Sequence, residues 1–250
     1  MCSSDLYWIA HPQPLSKEAG MHRFVWNLRY ADPRAMHTQS PYNYPIAAIV
    51  GSTPLPPEGP LVLPGKYEVR LKAGAQVFRQ PLEIKMDQRV AAARNELQSS
   101  LALQLKISSL LEKNFDGYQQ TKELRARLAE LMKRPKEDPI AVAASALDAR
   151  VAALAGTATP ILETPKTASF MAVNDTLTAL MVLVDGADFA PSEESFAAYL
   201  RICKGLNEAF ATWQELKNKD VAALNTLLGK GNLTALTELP DLAAEVACGN

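Results

Sequence analysis

The 250-residue chain is poor in the residues that usually carry chemistry. It has three cysteines, three histidines, 7% aromatic residues and a formal net charge of −1. Cys2, Cys203 and Cys248 have neither metal-ligand spacing nor the regularity of a disulfide framework. His11, His22 and His37 stand in no nucleophile or metal motif with a serine, cysteine or carboxylate, and read as surface or loop histidines. Long apolar runs are missing as well. The longest, Thr176 to Val184, is about half of the ~20 residues that a membrane span needs. Charge of one sign is also lacking. Residues 1–87 hold 9 basic and 7 acidic side chains and residues 88–250 hold 17 and 20, so +2 and −3 sum to −1. That balance leaves no basic footprint for nucleic acid or an anionic membrane surface. The first residues show no charged-then-apolar signal pattern, and no glycine-rich phosphate loop follows a strand. Two adjacent carboxylate pairs, Glu137-Asp138 and Glu193-Glu194, stand where helices are expected to begin, and the helix dipole accounts for them without acid–base chemistry. These observations nominate no catalytic residue, no metal ligand, no cofactor-binding residue and no cofactor.

What is abundant is helix former. Asp87 to Arg134 holds no proline and one glycine, Gly117, and is dense in Leu, Ala, Gln, Glu, Lys and Arg. As one helix it would be about 70 Å long at roughly 1.5 Å per residue. Its apolar residues return at helical spacing through Leu97, Leu101 and Leu105, then Leu111, Phe115 and Tyr118, then Leu124, Leu128 and Leu131. Such a stripe requires partner helices. Asp138 caps the next one with Pro139 at its first position, and Ile140, Ala143, Leu147, Val151 and Leu154 form a narrow seam ended by Gly156. Phe170, Val173, Leu177, Leu180 and Val184 mark a third seam. Ser192 caps a last helix whose seam runs Phe196, Tyr199, Cys203, Leu206, Phe210 and Trp213, continued by Val221, Leu224 and Leu228. The lengths fit an arrangement in which the second and third helices lie end to end along the first while the fourth completes an antiparallel bundle. Cys203, on the seam, reads as a buried free thiol in preference to a bond with Cys248.

The N-terminal part is different. Residues 1–87 contain 11 of the 17 prolines and 5 of the 12 glycines. Tyr7 to Ala10 and Ile46 to Val50 read as short strands, and Arg23 to Arg29 alternates with Phe24, Trp26 and Leu28 on one face. Pro64-Gly65 turns into Tyr67, Val69 and Leu71, and Ala73-Gly74 turns back into a strand on which Leu82, Ile84 and Met86 share a face. The expected fold class is therefore α+β in two domains. A small antiparallel β-sandwich of immunoglobulin or fibronectin type III style occupies residues 7–87, and an antiparallel helical bundle with one very long helix occupies 88–239. Residues 240–250 form a tail. Met1 to Leu6 read as non-native, because Cys-Ser-Ser-Asp-Leu is what the end of a common sequencing adapter, TGC TCT TCC GAT CT, encodes. On that reading a longer protein has been cut off upstream.

Two motifs carry a resemblance. Gly20, Arg23, Phe24, Val25, Trp26, Leu28, Arg29 and Tyr30, followed by Pro64, Gly65, Tyr67 and Val69, resemble the C-terminal region of large bacterial sortilin-like β-propeller proteins with BNR (Asp-box) repeats, often labelled glycosyl hydrolases. Asn27, Ala31 and Gln88 depart from that pattern. The resemblance implies a structural motif in all of the matching residues named above except Val25, an upstream β-propeller of the same polypeptide as partner, and an extracytoplasmic parent, periplasmic or secreted. A secreted parent would permit a Cys203–Cys248 disulfide. No Ser-x-Asp-x-Gly-x-Thr-Trp repeat occurs here, so no catalytic residue carries over. The expectation is a non-catalytic C-terminal structural and interaction module that offers its helical bundle to another protein. The alternatives are an accessory domain of a true glycoside hydrolase, or a carbohydrate-binding sandwich displaying Trp8, Trp26, Tyr30, Tyr42 and Tyr44.

Overall fold

The computed structural model describes residues 16–36, 57–157, 168–236 and 246–249. The strands expected at Tyr7 to Ala10 and Ile46 to Val50, the tail Met1 to Leu6, and His11, His37, Trp8, Tyr42 and Tyr44 lie outside them.

Helix α1, Arg94–Leu131, is the axis of the molecule. It starts later than expected because the Asp87 carboxylate accepts from the Arg89 backbone N–H (2.9 Å) and grips its guanidinium, holding the chain in a local turn. At the helix start, Glu96 accepts the Ala93 N–H at 2.8 Å. α1 is unbroken at Gly117, where a Cβ would lie 2.6 Å from the Phe170 ring and 3.0 Å from that of Phe210. Glycine costs helix propensity there, but it lets two aromatic rings reach the backbone.

The stripe that packs is Leu103, Ile107, Leu110, Leu111, Leu124 and Leu128, joined by buried Asn114 and Thr121. The expected stripe was partly misplaced: Leu101 is half-buried and Leu105 is 41% exposed. The true seam passes through polar and small side chains that hydrophobic counting skips. Asn114 Nδ2 donates to the Phe170 carbonyl (2.9 Å), and Gln120 Oε1 accepts the Trp213 indole N–H (2.9 Å).

Helix α2, Pro139–Ala155, runs back along the second half of α1, tied by Arg134–Asp138 and Arg125–Asp148. Helix α3, Phe170–Asp185, covers the first half, and the two meet where Gly156 lies against Ser169. Helix α4, Glu193–Glu215, returns against α3 and passes through a π-helical turn, Leu216–Val221, into α5, Ala222–Lys230. α5 lies along α2, with Arg150 paired to Asp220 and Gly231 near Ile140. Buried Leu216 and Leu224 are eight residues apart, and the wider turn lies between them, rotating the α5 face relative to that of α4.

The β-sandwich is not there. Among the described residues the only sheet is a two-stranded antiparallel ribbon, β1 Gly65–Ala73 with β2 Gln76–Ile84, so the two-domain sandwich-plus-bundle expectation is overturned in favour of a mainly helical fold. Arg23 to Arg29 is not a strand. It contributes one bridge, Arg29 to Leu61, and Leu28 takes a positive φ of 60°, which breaks the alternation. Phe24 is therefore 65% exposed instead of facing a second sheet.

The free-thiol reading of Cys203 is also overturned. Cys203 and Cys248 are disulfide-bonded with Cα atoms 5.8 Å apart. Asn207, one turn on from Cys203, draws them together: its Oδ1 accepts the Val246 N–H (2.8 Å) and its Nδ2 donates to the Val246 carbonyl (3.0 Å). The seam position was read correctly as buried, but burial does not distinguish a thiol from half a disulfide when the partner segment is held by tertiary hydrogen bonds.

Candidate interaction site

The motif residues converge where the N-terminal segment crosses the base of the ribbon and the end of α3. Two backbone bonds join the segments: Tyr30 N–H to Pro60 O and Leu28 O from Val62 N–H, both 2.9 Å. Gly59 makes the crossing possible, because a Cβ there would sit 2.1 Å from the Tyr30 carbonyl oxygen. Its N–H donates to Asp32 Oδ1 at 2.8 Å.

Arg29 is the hub. Its guanidinium forks onto Asp185 at 3.1 and 2.8 Å, donates to the Gly59 carbonyl at 2.9 Å, and lies 3.6 Å from Glu58. The planar fork matches the carboxylate, the geometry in which arginine is not replaceable by lysine. Partial burial pulls the guanidinium down, and Asp185 together with Glu58 and Asp32 more than offsets that, so its net shift is upward. Burial pushes the Glu58 carboxyl up against the attraction of Arg29. Trp26 donates its indole N–H to the Arg29 carbonyl (2.8 Å) and stands edge-on to Tyr67 with centroids 6.3 Å apart. Tyr67 in turn donates its hydroxyl to Leu63 O at 2.5 Å.

The structure thus gathers Trp26, Leu28, Arg29, Tyr30, Pro64, Gly65 and Tyr67 at one junction. Gly20, Arg23 and Phe24 lie on an exposed approach to it, and Val69 lies out on the ribbon. Trp26 is half-buried with its N–H engaged, so it is no flat sugar platform.

The ribbon is two-faced. Tyr67, Val69, Leu71, Phe78, Leu82 and Ile84 share one side through the pairs Tyr67–Leu82 and Leu71–Phe78. The other side carries Lys66, Glu68, Arg70, Lys72 and Arg79 with Val77 among them, and Glu68 bridges Arg70 and Arg79. At its base Tyr67, Leu82 and Ile84 are half-buried, but Val69 is 50% exposed and Leu71 and Phe78 are each 54% exposed.

Behind the junction lies a cleft of about 170 Å³ walled by Leu28, Leu61, Leu63, Ile84, Leu97 and Leu101. Leu97 and Leu101 form a second apolar face of α1, turned to the ribbon instead of the bundle. The polar groups at the cleft are Ser100, Gln104, Asp185, Asp188 and Lys85. Gln104 is the signal that sequence reasoning missed: a glutamine on the apolar side of a helix, 6% exposed, with Oε1 buried and unpartnered.

The remaining sequence candidates are structural. Asp138 and Ser192 are N-caps, Glu193 and Glu194 fill the first turn of α4, and the ring of His22 lies 2.7 Å from the Glu18 carbonyl. Among the described residues no group of three potential ligands could hold a metal, and no helix is long and apolar enough to cross a membrane. Comparison with models of protein families, with curated proteins and with solved structures finds no match.

Proposed function

We propose that this chain is a non-catalytic structural and interaction module of a larger extracytoplasmic polypeptide, its helices a rigid support and its β-ribbon the surface that docks. The observation that carries the reading is the uncovered apolar half of the ribbon. An isolated two-stranded ribbon is marginal in water, and one that keeps Val69, Leu71 and Phe78 on a single face, against charges on the other, is shaped to lie on something. The Arg29–Asp185 fork fixes the N-terminal segment that meets the ribbon's base to α3, so force on the ribbon is delivered to the bundle. The Cys203–Cys248 bond supports an oxidising compartment. On the sequence resemblance, the partner is the upstream β-propeller.

The test is docking in trans. The upstream part of the parent polypeptide, expressed separately, is captured by the wild-type chain. Leu71→Asp with Phe78→Asp abolishes capture while leaving the helical circular dichroism and its melting unchanged. Capture that survives the double variant refutes the ribbon as docking surface.

A further inference from the structure

We propose that the docking partner adds a strand of its own to the free edge of β1, an extended segment whose residues alternate between apolar and acidic. This deepens the interaction-module reading and rests on it. The two outer edges of the ribbon are not equivalent. Ala73 pairs with Gln76 across the two-residue turn Gly74-Ala75, and such a turn closes on a hydrogen-bonded pair. Bonded and non-bonded pairs alternate along an antiparallel ladder. Counting back from the turn, Lys72–Val77, Arg70–Arg79, Glu68–Pro81 and Lys66–Glu83 are the non-bonded pairs, whose backbone groups face outward. Pro81 agrees with that count. A residue with no N–H fits an unbroken ladder only where its nitrogen faces away from the neighbouring strand.

The β2 edge therefore lacks a donor in its middle, whereas the β1 edge is complete. Lys66, Glu68, Arg70 and Lys72 present their N–H and carbonyl groups in a row along exposed chain. Among the described residues, no strand or helix other than β2 packs on β1. An open edge of that length is a template for a further strand. The side chains beside the edge define what fits. On one face the added strand continues Val69 and Leu71, which asks for apolar residues. On the other face Glu68 is already shared by Arg70 and Arg79, while Lys66 and Lys72 have no ion-pair partner among the described residues. The free charge there is positive, and carboxylates match it.

The experiment measures capture of the upstream part of the parent polypeptide by two matched variants of the full chain. Arg70→Pro and Arg79→Pro remove the same guanidinium from facing positions and spare the β1–β2 ladder, but only the first takes an N–H from the β1 edge. Arg70→Pro weakens capture about tenfold, the size of one lost hydrogen bond, and Arg79→Pro leaves it within about twofold of wild type. Amide exchange on the ¹⁵N-labelled wild-type chain needs no variant. The amides of Lys66, Glu68, Arg70 and Lys72 exchange fast in the chain alone and are protected in the complex. Equal capture by the two variants, or outward amides left unprotected in the complex, overturns strand addition. If Leu71→Asp with Phe78→Asp still abolishes capture, the docking reading stands without it. Failure of the wild type to capture that polypeptide overturns both. Protection already present in the free chain overturns the partner assignment. It makes the occupant this chain's own residues 46–50 if independent of concentration, and a second copy if it grows with concentration. Lys66→Glu with Lys72→Glu weakens capture, and unchanged or tighter capture overturns the acidic assignment.

Discussion

At the residue scale, this fold relies on asparagines used as peptide mimics. Asn174 on α3 accepts the Met36 N–H (2.9 Å) and donates to the Met36 carbonyl (2.8 Å). Asn207 does the same for Val246, and Asn225 for Leu236. Each holds an extended segment whose side chain enters or borders the core, supplying the backbone partners that a neighbouring strand would otherwise give. Asn174 is 1% exposed, so Asn174→Ala leaves buried backbone groups unpaired and is expected to destabilise the protein by about 1–3 kcal/mol in urea unfolding. A loss under half of that range would show that water replaces the amide. These asparagines are not legible in the sequence, where each lies beside an apolar seam and nothing local marks the segment it will hold.

At the element scale, caps and staples set where helices begin and what they hold. Asp138 accepts the Ile140 N–H at 2.8 Å, and that bond first, then Arg134, holds its carboxyl below the usual aspartate range. A depressed folded-state value contributes stability that is present above the unfolded pKa and is lost as pH falls through the folded one. Asp138→Asn keeps a capping acceptor without the titration, so its melting temperature should fall less between pH 5 and pH 3 than that of the wild type. An equal fall would place the acid sensitivity elsewhere. The disulfide staples the C-terminal segment to α4 across 45 residues of sequence. Closing a loop of that size is worth about 4 kcal/mol by chain entropy, and Cys248→Ser is expected to cost roughly 2–4 kcal/mol with the helix content retained. Alkylation of the native chain without reductant should leave Cys203 and Cys248 unlabelled, and labelling of both would contradict the bond.

At the scale of the whole molecule, three rods pack together: α1, the end-to-end pair α3 and α2, and the continuous α4–α5. Arg29 fastens the N-terminal segment to α3, and that segment meets the ribbon base where Trp26 stands against Tyr67. The expectation that this chain alone is not a catalyst is tested by a panel of aryl glycosides, esters and peptides. No turnover is expected, and turnover that survives purification and disappears with a single carboxylate-to-amide change would refute it.

Which parts of this were legible without coordinates follows from the range of the interactions. Helix identity, the Asp138 and Ser192 caps, the seams of α2, α3 and α4, and the alternation of β1 and β2 are local, since period and capping chemistry act over three or four residues. Whether Tyr67, Val69 and Leu71 face a second sheet is not local, because alternation states that a face is apolar and says nothing of what covers it. That is why the alternation of a lone ribbon reads the same as that of half a sandwich. The buried line of α1 through Ser100, Gln104, Asn114, Gly117, Gln120 and Thr121 was likewise decided only by its partners. Phe170 and Phe210 need the missing Cβ of Gly117, and the Trp213 indole needs the Gln120 amide, whereas Leu105 stays 41% exposed. The sequence alone determined which segments become helices and which faces want burial. Tertiary structure decided which of those faces are covered, which cysteines meet, and which buried amide stays unpaired, because each depends on groups brought together from distant parts of the chain.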